Sequence, residues 1–210
     1  MKKVLTSSLL ILSLFTVGCD KKVELTSDTT STESTNITQE TMQLKPEKGD
    51  TIATMTTNMG ELKILLYAKK SPKTSKNFTE LAKAGKYDGV SFHRVIADFM
   101  IQGGDFENEN GTGGYSYKGK GTTLKDEFGA GLKHVYGAVS MANSGPNSGG
   151  SQFFIVQAKG GTSWLDEKHA IFGYVYEGMD TVEKIAALPT DSNDRTKKEV
   201  KIEKIEISEY

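Results

Sequence analysis

From Thr51 to Tyr210 the chain is a succession of short β-branched and apolar runs broken by Gly, Asn, Pro and Ser, and only two segments carry a helical period. That punctuation constrains the fold more than any other feature. Many short strands with two helices fit an all-β-dominated, closed antiparallel barrel with helical lids. Thr51–Thr57 and Glu61–Tyr67 read as the arms of a hairpin across Asn58-Met59-Gly60, with Leu62, Ile64 and Leu66 on one face. A helix follows, with Ser71 as N-cap, Pro72 at the first helical position, Phe78, Leu81 and Ala82 on one stripe, and Gly85 as the stop.

Tyr87–Ile101 returns to strand character, and Phe106–Gly121 reads as a shaped loop. Its Gly111-Thr112-Gly113-Gly114 core is followed by no Lys-Ser/Thr pair and no helical pattern, so it is not a phosphate cradle. Val135–Met141, Gln152–Gln157 and Ile171–Tyr176 read as further strands. Asp180 caps a short helix through Ala187, closed by Pro189. The alternation in Val200–Ile207 slips by one residue, which a bulge explains.

One stretch, Phe92-His93-Arg94-Val95-Ile96-Ala97-Asp98-Phe99-Met100-Ile101-Gln102-Gly103-Gly104-Asp105, mixes an apolar run with a guanidinium and an amide. Arg is rarely buried without a partner, so Arg94 beside Phe and Met marks a polar tool on an apolar wall. A plain strand with a bulge and a snorkelling Arg also fits these residues alone.

Two further blocks follow it. The first is Ser140-Met141-Ala142-Asn143-Ser144-Gly145-Pro146-Asn147-Ser148-Gly149-Gly150-Ser151-Gln152-Phe153-Phe154-Ile155; the second is Trp164-Leu165-Asp166-Glu167-Lys168-His169 leading to Ile171-Phe172-Gly173. In this order and spacing the three blocks resemble the cyclophilin family of peptidyl-prolyl isomerases, over Thr51 to Tyr210. The resemblance implies a closed barrel of about eight strands with a helix over each open end. It also implies that Phe99, Met100, Phe154 and Leu165 hold a proline ring, and that Gln102 and the backbone around Asn143 hold the neighbouring carbonyl and amide groups. His93, Gly111, Ala142, Ser144, Gln152 and His169 match further lining positions, and Trp164 the position associated with cyclosporin binding. Ser144 stands where the family has Ala, a change expected to alter sequence preference more than activity. On residue type alone, Phe99, Met100, Phe154 and Trp164 fit packing roles, and His169 a hydrogen-bonded structural one.

The implied chemistry is undemanding in parts. A peptide bond resists rotation by ~18–20 kcal/mol because nitrogen shares its lone pair with the carbonyl. A catalyst needs no nucleophile, metal or cofactor; it must favour the twisted state, in which the prolyl nitrogen becomes a hydrogen-bond acceptor. Arg94 suits that role, since its guanidinium cannot lose its proton and each 1.36 kcal/mol of preference is worth a factor of ten. A holdase or proline-segment binding module would use the same pocket without that preference. Metal and serine-nucleophile chemistry fit poorly: His93, His134 and His169 have no ligand spacing, and Gly149-Gly150-Ser151-Gln152-Phe153 lacks the final Gly of a nucleophile elbow.

The first fifty residues are a different polymer. Met1-Lys2-Lys3, an uncharged run from Val4 to Gly18 and then Cys19 read as a secretory leader whose end resembles the lipobox of bacterial lipoproteins, with Thr16 departing from the usual Leu. Residues 1–18 are expected to be the signal peptide and residues 19–49 a lipidated Cys19 with a disordered Ser/Thr-rich stalk; residues 50–210 form the isomerase domain. A stalk of about 30 residues spans ~30 Å root-mean-square. An ordinary cleaved leader with an incidental Cys19 is the plainer alternative. The expected setting is the outer side of a cell membrane, reached through the lipid anchor, with proline-containing polypeptides as partners and the protein a monomer. A net charge of -1 and the absence of a basic run give no sign of nucleic-acid binding.

Overall fold

The computed structural model of the chain describes residues 42–210. The leader, Cys19 and most of the expected stalk lie outside the described residues. Met42–Gly49, placed in the stalk by composition, lies against the domain: the Tyr67 hydroxyl donates to the Gln43 carbonyl, and Gly49 N–H donates to Tyr210 O at 3.1 Å. Met42 supplies the reason, since it packs on an apolar cluster.

Eight strands follow in the order β1 (Thr51–Thr57), β2 (Gly60–Leu66), β3 (Arg94–Ile96), β4 (Met100–Gly103), β5 (Ala138–Met141), β6 (Phe153–Val156), β7 (Ile171–Glu177) and β8 (Ile202–Glu209), with helices α1 (Pro72–Lys83) and α2 (Met179–Ala186). All pair antiparallel in one sheet ordered β3-β4-β6-β5-β7-β2-β1-β8. The expected closed barrel is corrected: β3 and β8 are edges that do not pair, so the sheet is a curled, open half-barrel. Its edges are tied one step upstream, where Phe92 N–H donates to Val200 O at 2.9 Å and Ile202 N–H to Val90 O at 2.9 Å.

Alternation sorts side chains onto two faces. Phe153 and Ile155 of β6 join an inner cluster with Leu62, Ile64, Phe78, Tyr87, Ile101 and Phe172, and both helices add their stripes to it through Leu81 and Ile185. Phe154 and Val156 point the other way, into a second cluster with Met100, Leu65 and Ile171. The predicted bulge lies in β8, where Thr56 pairs Lys204 but Thr57 pairs Ile202, leaving Glu203 unmatched.

Three local expectations need correction. Ser71 occupies the N-cap position but its hydroxyl donates to Ile171 O at 2.6 Å. Glu127 caps α1 instead, accepting from Lys73 N–H at 2.9 Å and Thr74 N–H at 3.0 Å. Asp180 is not the cap of α2; Gly178 is, at φ 92, where a Cβ would meet Glu61 O at 2.3 Å. Tyr87–Ile101 is not one strand, because Ala97–Phe99 turns the chain between β3 and β4, with Asp98 at φ 55. The Gly85 stop stands as a Schellman cap, with Gly85 N–H to Ala82 O and Lys86 N–H to Leu81 O.

Candidate active site

Strand register assembles the site. Arg94 pairs Gln102, Gln102 pairs Phe154, and Phe154 pairs Ser140, so one transverse row crosses β3, β4, β6 and β5. Met100 lies two residues from Gln102, on the same face. Over this row is a pocket of about 140 Å³ lined by Arg94, Phe99, Met100, Gln102, Ala142, Asn143, Phe154, Leu165 and His169. Arg94 Nε reaches Asp194 Oδ2 at 3.3 Å, with both side chains more than two-fifths exposed. Such a pair holds a guanidinium weakly and leaves its other donors free.

Beside it, a second cavity of about 390 Å³ shares Gln102, Ala142 and Asn143 and adds Gly111, Ser144, Gln152 and Thr123. An amide relay fixes the shared wall. Gly113 O accepts from Gln152 Nε2 at 2.7 Å, which leaves Gln152 Oε1 to accept from Gln102 Nε2 at 2.9 Å. Gln102 therefore keeps its carbonyl oxygen unspent. Asn143 is pinned through its side chain, Nδ2 donating to Lys168 O at 2.8 Å and Oδ1 accepting from Gly145 N–H at 3.3 Å. Its own N–H and C=O have no partner among the described residues. An acceptor amide and an open backbone peptide on one wall can hold an extended polypeptide.

Asp105, which sequence reading passed over, builds the outer wall. Its carboxylate accepts from five backbone N–H groups, of Glu107, Asn108, Asn110, Gly111 and Gly113. Burial acts to raise its pKa, but those donors outweigh it and hold the group below the ordinary carboxylate value. The signal was an Asp directly after Gly103-Gly104 and before a loop dense in Asn and Gly, whose N–H groups need an acceptor.

Phe154 is supported from behind. The His134 ring stacks on it with centroids 5.9 Å apart, and His169 meets it edge-on at 5.4 Å. Asp166 Oδ1 lies 2.8 Å from His134 Nδ1, and Ser140 Oγ 3.0 Å from Nε2. A carboxylate only accepts, so Nδ1 carries the proton and the neutral ring accepts from Ser140 at Nε2. Burial lowers the His134 pKa against the opposing pull of Asp166. His134, Asp166 and Ser140 form a Ser-His-Asp set, but Ser140 is fully buried and attacks nothing. His169 Nδ1 lies 3.1 Å from Met141 O, so it too is held as a donor.

Two expected residues line neither cavity. His93 is buried beneath Gly111, its ring nitrogens without a hydrogen-bond partner among the described residues, and burial lowers its pKa against the opposing pull of Asp105. Trp164 stands on the outside, 58% exposed and stacked on Phe99 at 6.1 Å. Its ring meets the pocket lining at Phe99, and its backbone runs on into Leu165.

An apolar pocket with a guanidinium and an acceptor amide on its wall is suited to gripping a polypeptide. The chain matches the family model described as cyclophilin type peptidyl-prolyl cis-trans isomerase/CLD over residues 52–207, and it belongs to that family. It is a peptidyl-prolyl cis-trans isomerase. Among its relatives is peptidyl-prolyl cis-trans isomerase-like 1 of Rhizopus delemar, 55% identical over 140 residues, covering 66% of this chain and 82% of that protein. A Staphylococcus aureus (strain USA300) protein, provisionally named a peptidyl-prolyl cis-trans isomerase, is 42% identical over 189 residues, covering 78% of this chain and 94% of its own. The crystal structure of a Cryptosporidium parvum cyclophilin type peptidyl-prolyl cis-trans isomerase superposes with TM-score 0.71 at 34% identity, covering 77% of this chain and 98% of that one. The same protein crystallised in the presence of the dipeptide Ala-Pro gives TM-score 0.70, also at 34% identity, over 76% of this chain and 99% of that one.

Proposed function

We propose that Arg94 drives the rotation, by donating a hydrogen bond to the prolyl nitrogen as it becomes pyramidal. The observation that carries this is the transverse row itself, which sets Arg94 and Gln102 beside Phe154 over one apolar pocket. Phe99, Met100, Phe154 and Leu165 take the proline ring, so the guanidinium acts where water is excluded and its donors are worth more. Gln102 and the Asn143 peptide hold the chain on one side of the bond while the other side turns. The planar isomers offer no nitrogen lone pair to Arg94; the twisted state does, and differential binding of that kind accelerates the step. The Ala-Pro dipeptide used with the Cryptosporidium relative is the minimal ligand such a pocket would take.

The protein works on exported polypeptides as they fold, tethered as a monomer outside the cytoplasmic membrane by a lipid on Cys19. The leader, the lone cysteine and the Ser/Thr-rich segment after it support that setting. Several acyl chains, at ~0.8 kcal/mol per buried CH₂, anchor firmly where one does not. The test is isomerisation of a short X-Pro peptide by the full chain and by Arg94→Ala. A rate loss of about 100-fold is expected; equal rates would remove Arg94 from the mechanism and leave a proline-binding module. Metabolic labelling with a fatty acid, lost in Cys19→Ser, checks the anchor.

A further inference from the structure

A third cleft, of about 760 Å³, adjoins the second cavity of the site, with Thr123 common to both. Lys73 and Lys76 form one wall, three residues apart on α1 and so on one helix face, and Lys118 and Lys125 form the other. Pro72, Tyr117 and Leu124 supply its apolar surface. Among the described residues none of these four ammonium groups is in an ion pair, and no carboxylate lines the cleft. The one contact of a lysine head there is Lys76 over the Tyr117 ring at 5.4 Å.

Two carboxylates stand beside the cleft, and each is bound to backbone N–H groups rather than to a lysine. Asp126 accepts from Asn147 N–H at 2.8 Å, and Glu127 caps α1, so the helix N-terminus itself is already satisfied. Four unpaired cations around a concave, partly apolar surface attract anions, and low-dielectric walls strengthen the attraction. The Thr123 hydroxyl donates to Asn147 O at 3.0 Å, which fixes the rim common to the cleft and the second cavity. A polypeptide gripped at Gln102 and Asn143 and continuing past Thr123 therefore enters the lysine cleft.

We propose that this cleft is a specificity subsite for acidic side chains of the client, Asp or Glu a few residues to one side of the proline. The inference rests on the isomerase reading and adds a substrate class to it. Because the lysines touch the chain away from the rotating bond, they hold ground state and twisted state alike, so they act through KM and leave kcat unchanged.

The experiment compares X-Pro peptides of one length carrying a Glu pair, a Gln pair or a Lys pair, placed on either side of the proline. The proteins are the full chain and its Lys73→Gln/Lys76→Gln/Lys118→Gln/Lys125→Gln variant. Expected for the wild-type chain is a KM about fivefold lower for Glu than for Gln peptides, on one side only, fading at high salt. The variant loses that difference and turns over the Gln peptide as before, which also shows that it is folded. No Glu preference, equal preference on both sides, or a preference surviving in the variant would each overturn the proposal. Binding of the same peptides, read from the fluorescence of Trp164, separates the two readings. A Glu preference in binding without turnover would keep the subsite and sink the isomerase assignment.

Discussion

His134 lies face to face with Phe154, ring planes 11° apart and centroids at 5.9 Å, while Asp166 and Ser140 hold its two nitrogens. The apolar pocket thus has a wall whose backing is polar, buried and fully hydrogen-bonded. His134→Ala would leave a void behind Phe154 and an unpaired Asp166. We expect a stability loss of about 2–4 kcal/mol and a fall of roughly tenfold in kcat/KM. His134→Asn, which can still donate to Asp166, is expected to recover stability more than activity. Urea midpoints and peptide kinetics on the two variants check this; activity unaffected by either change would remove His134 as a positioning residue.

Stability should fall on mild acidification. Burial lowers the pKa of both His134 and His93, so between their native values and the ordinary imidazole value of about 6.5 the unfolded chain binds more protons than the native one. Stability therefore rises with pH through that window and is lost as pH drops from about 6.5 towards the native values. His169, Lys133 and Asp166 face His134, and Asp166 opposes the shift without cancelling it. Urea midpoints measured from pH 7.5 to 5 are expected to decrease in the native chain and to flatten in part in His134→Gln. A midpoint independent of pH would contradict the assignment.

Asp105→Asn replaces an oxygen that accepts backbone N–H groups with an amide that donates. Its Oδ2 serves Asn110, Gly111 and Gly113, and Gly113 O in turn orients Gln152. A loss of about 2–4 kcal/mol is expected, together with faster hydrogen exchange at residues 107–114. Unchanged protection there would show that the loop stands without the carboxylate.

Arg94→Lys tests geometry against charge. A lysine keeps the cation but not the rigid fork of donors. Activity is expected to stay at least about tenfold below that of the native chain, with the melting temperature within about a degree, because the lost Asp194 pair is exposed. Full activity in the lysine variant would reduce the role of Arg94 to its charge.

Trp164→Ala should leave stability within about 1 kcal/mol, since the indole is mostly exposed and, among the described residues, stacks on Phe99 alone. We propose, as the family resemblance implies, that the indole contacts cyclosporin; affinity for the drug is then expected to drop by about tenfold or more in the variant while peptide turnover falls less than threefold. Titration calorimetry beside the peptide assay reads both; equal losses would place the indole inside the substrate pocket.

Much of the site was legible because its residues sit in three short blocks whose spacing survives folding. Twelve expected positions, Arg94 to His169, line the paired cavities, while His93 and Trp164 flank them as support and rim. Ser71 and Asp180 misled for a common reason. Capping rules are local, whereas the actual partners, Glu127 and Gly178, were selected by contacts 53 residues away and by the Glu61 carbonyl. The closed barrel failed similarly, since a strand count does not say whether the two edge strands meet.

What the sequence alone determined is the kind of chemistry: an ever-charged Arg94 among apolar residues, no nucleophile elbow, and strand periods that send Phe153 and Phe154 to opposite faces. Only the tertiary structure decided which strands lie side by side, and hence that Arg94, Gln102 and Phe154 share a row while four lysines ring an adjoining cleft. Period and composition act over a few residues. Register across a sheet is set by the burial of the whole inner face, which no short stretch of chain contains.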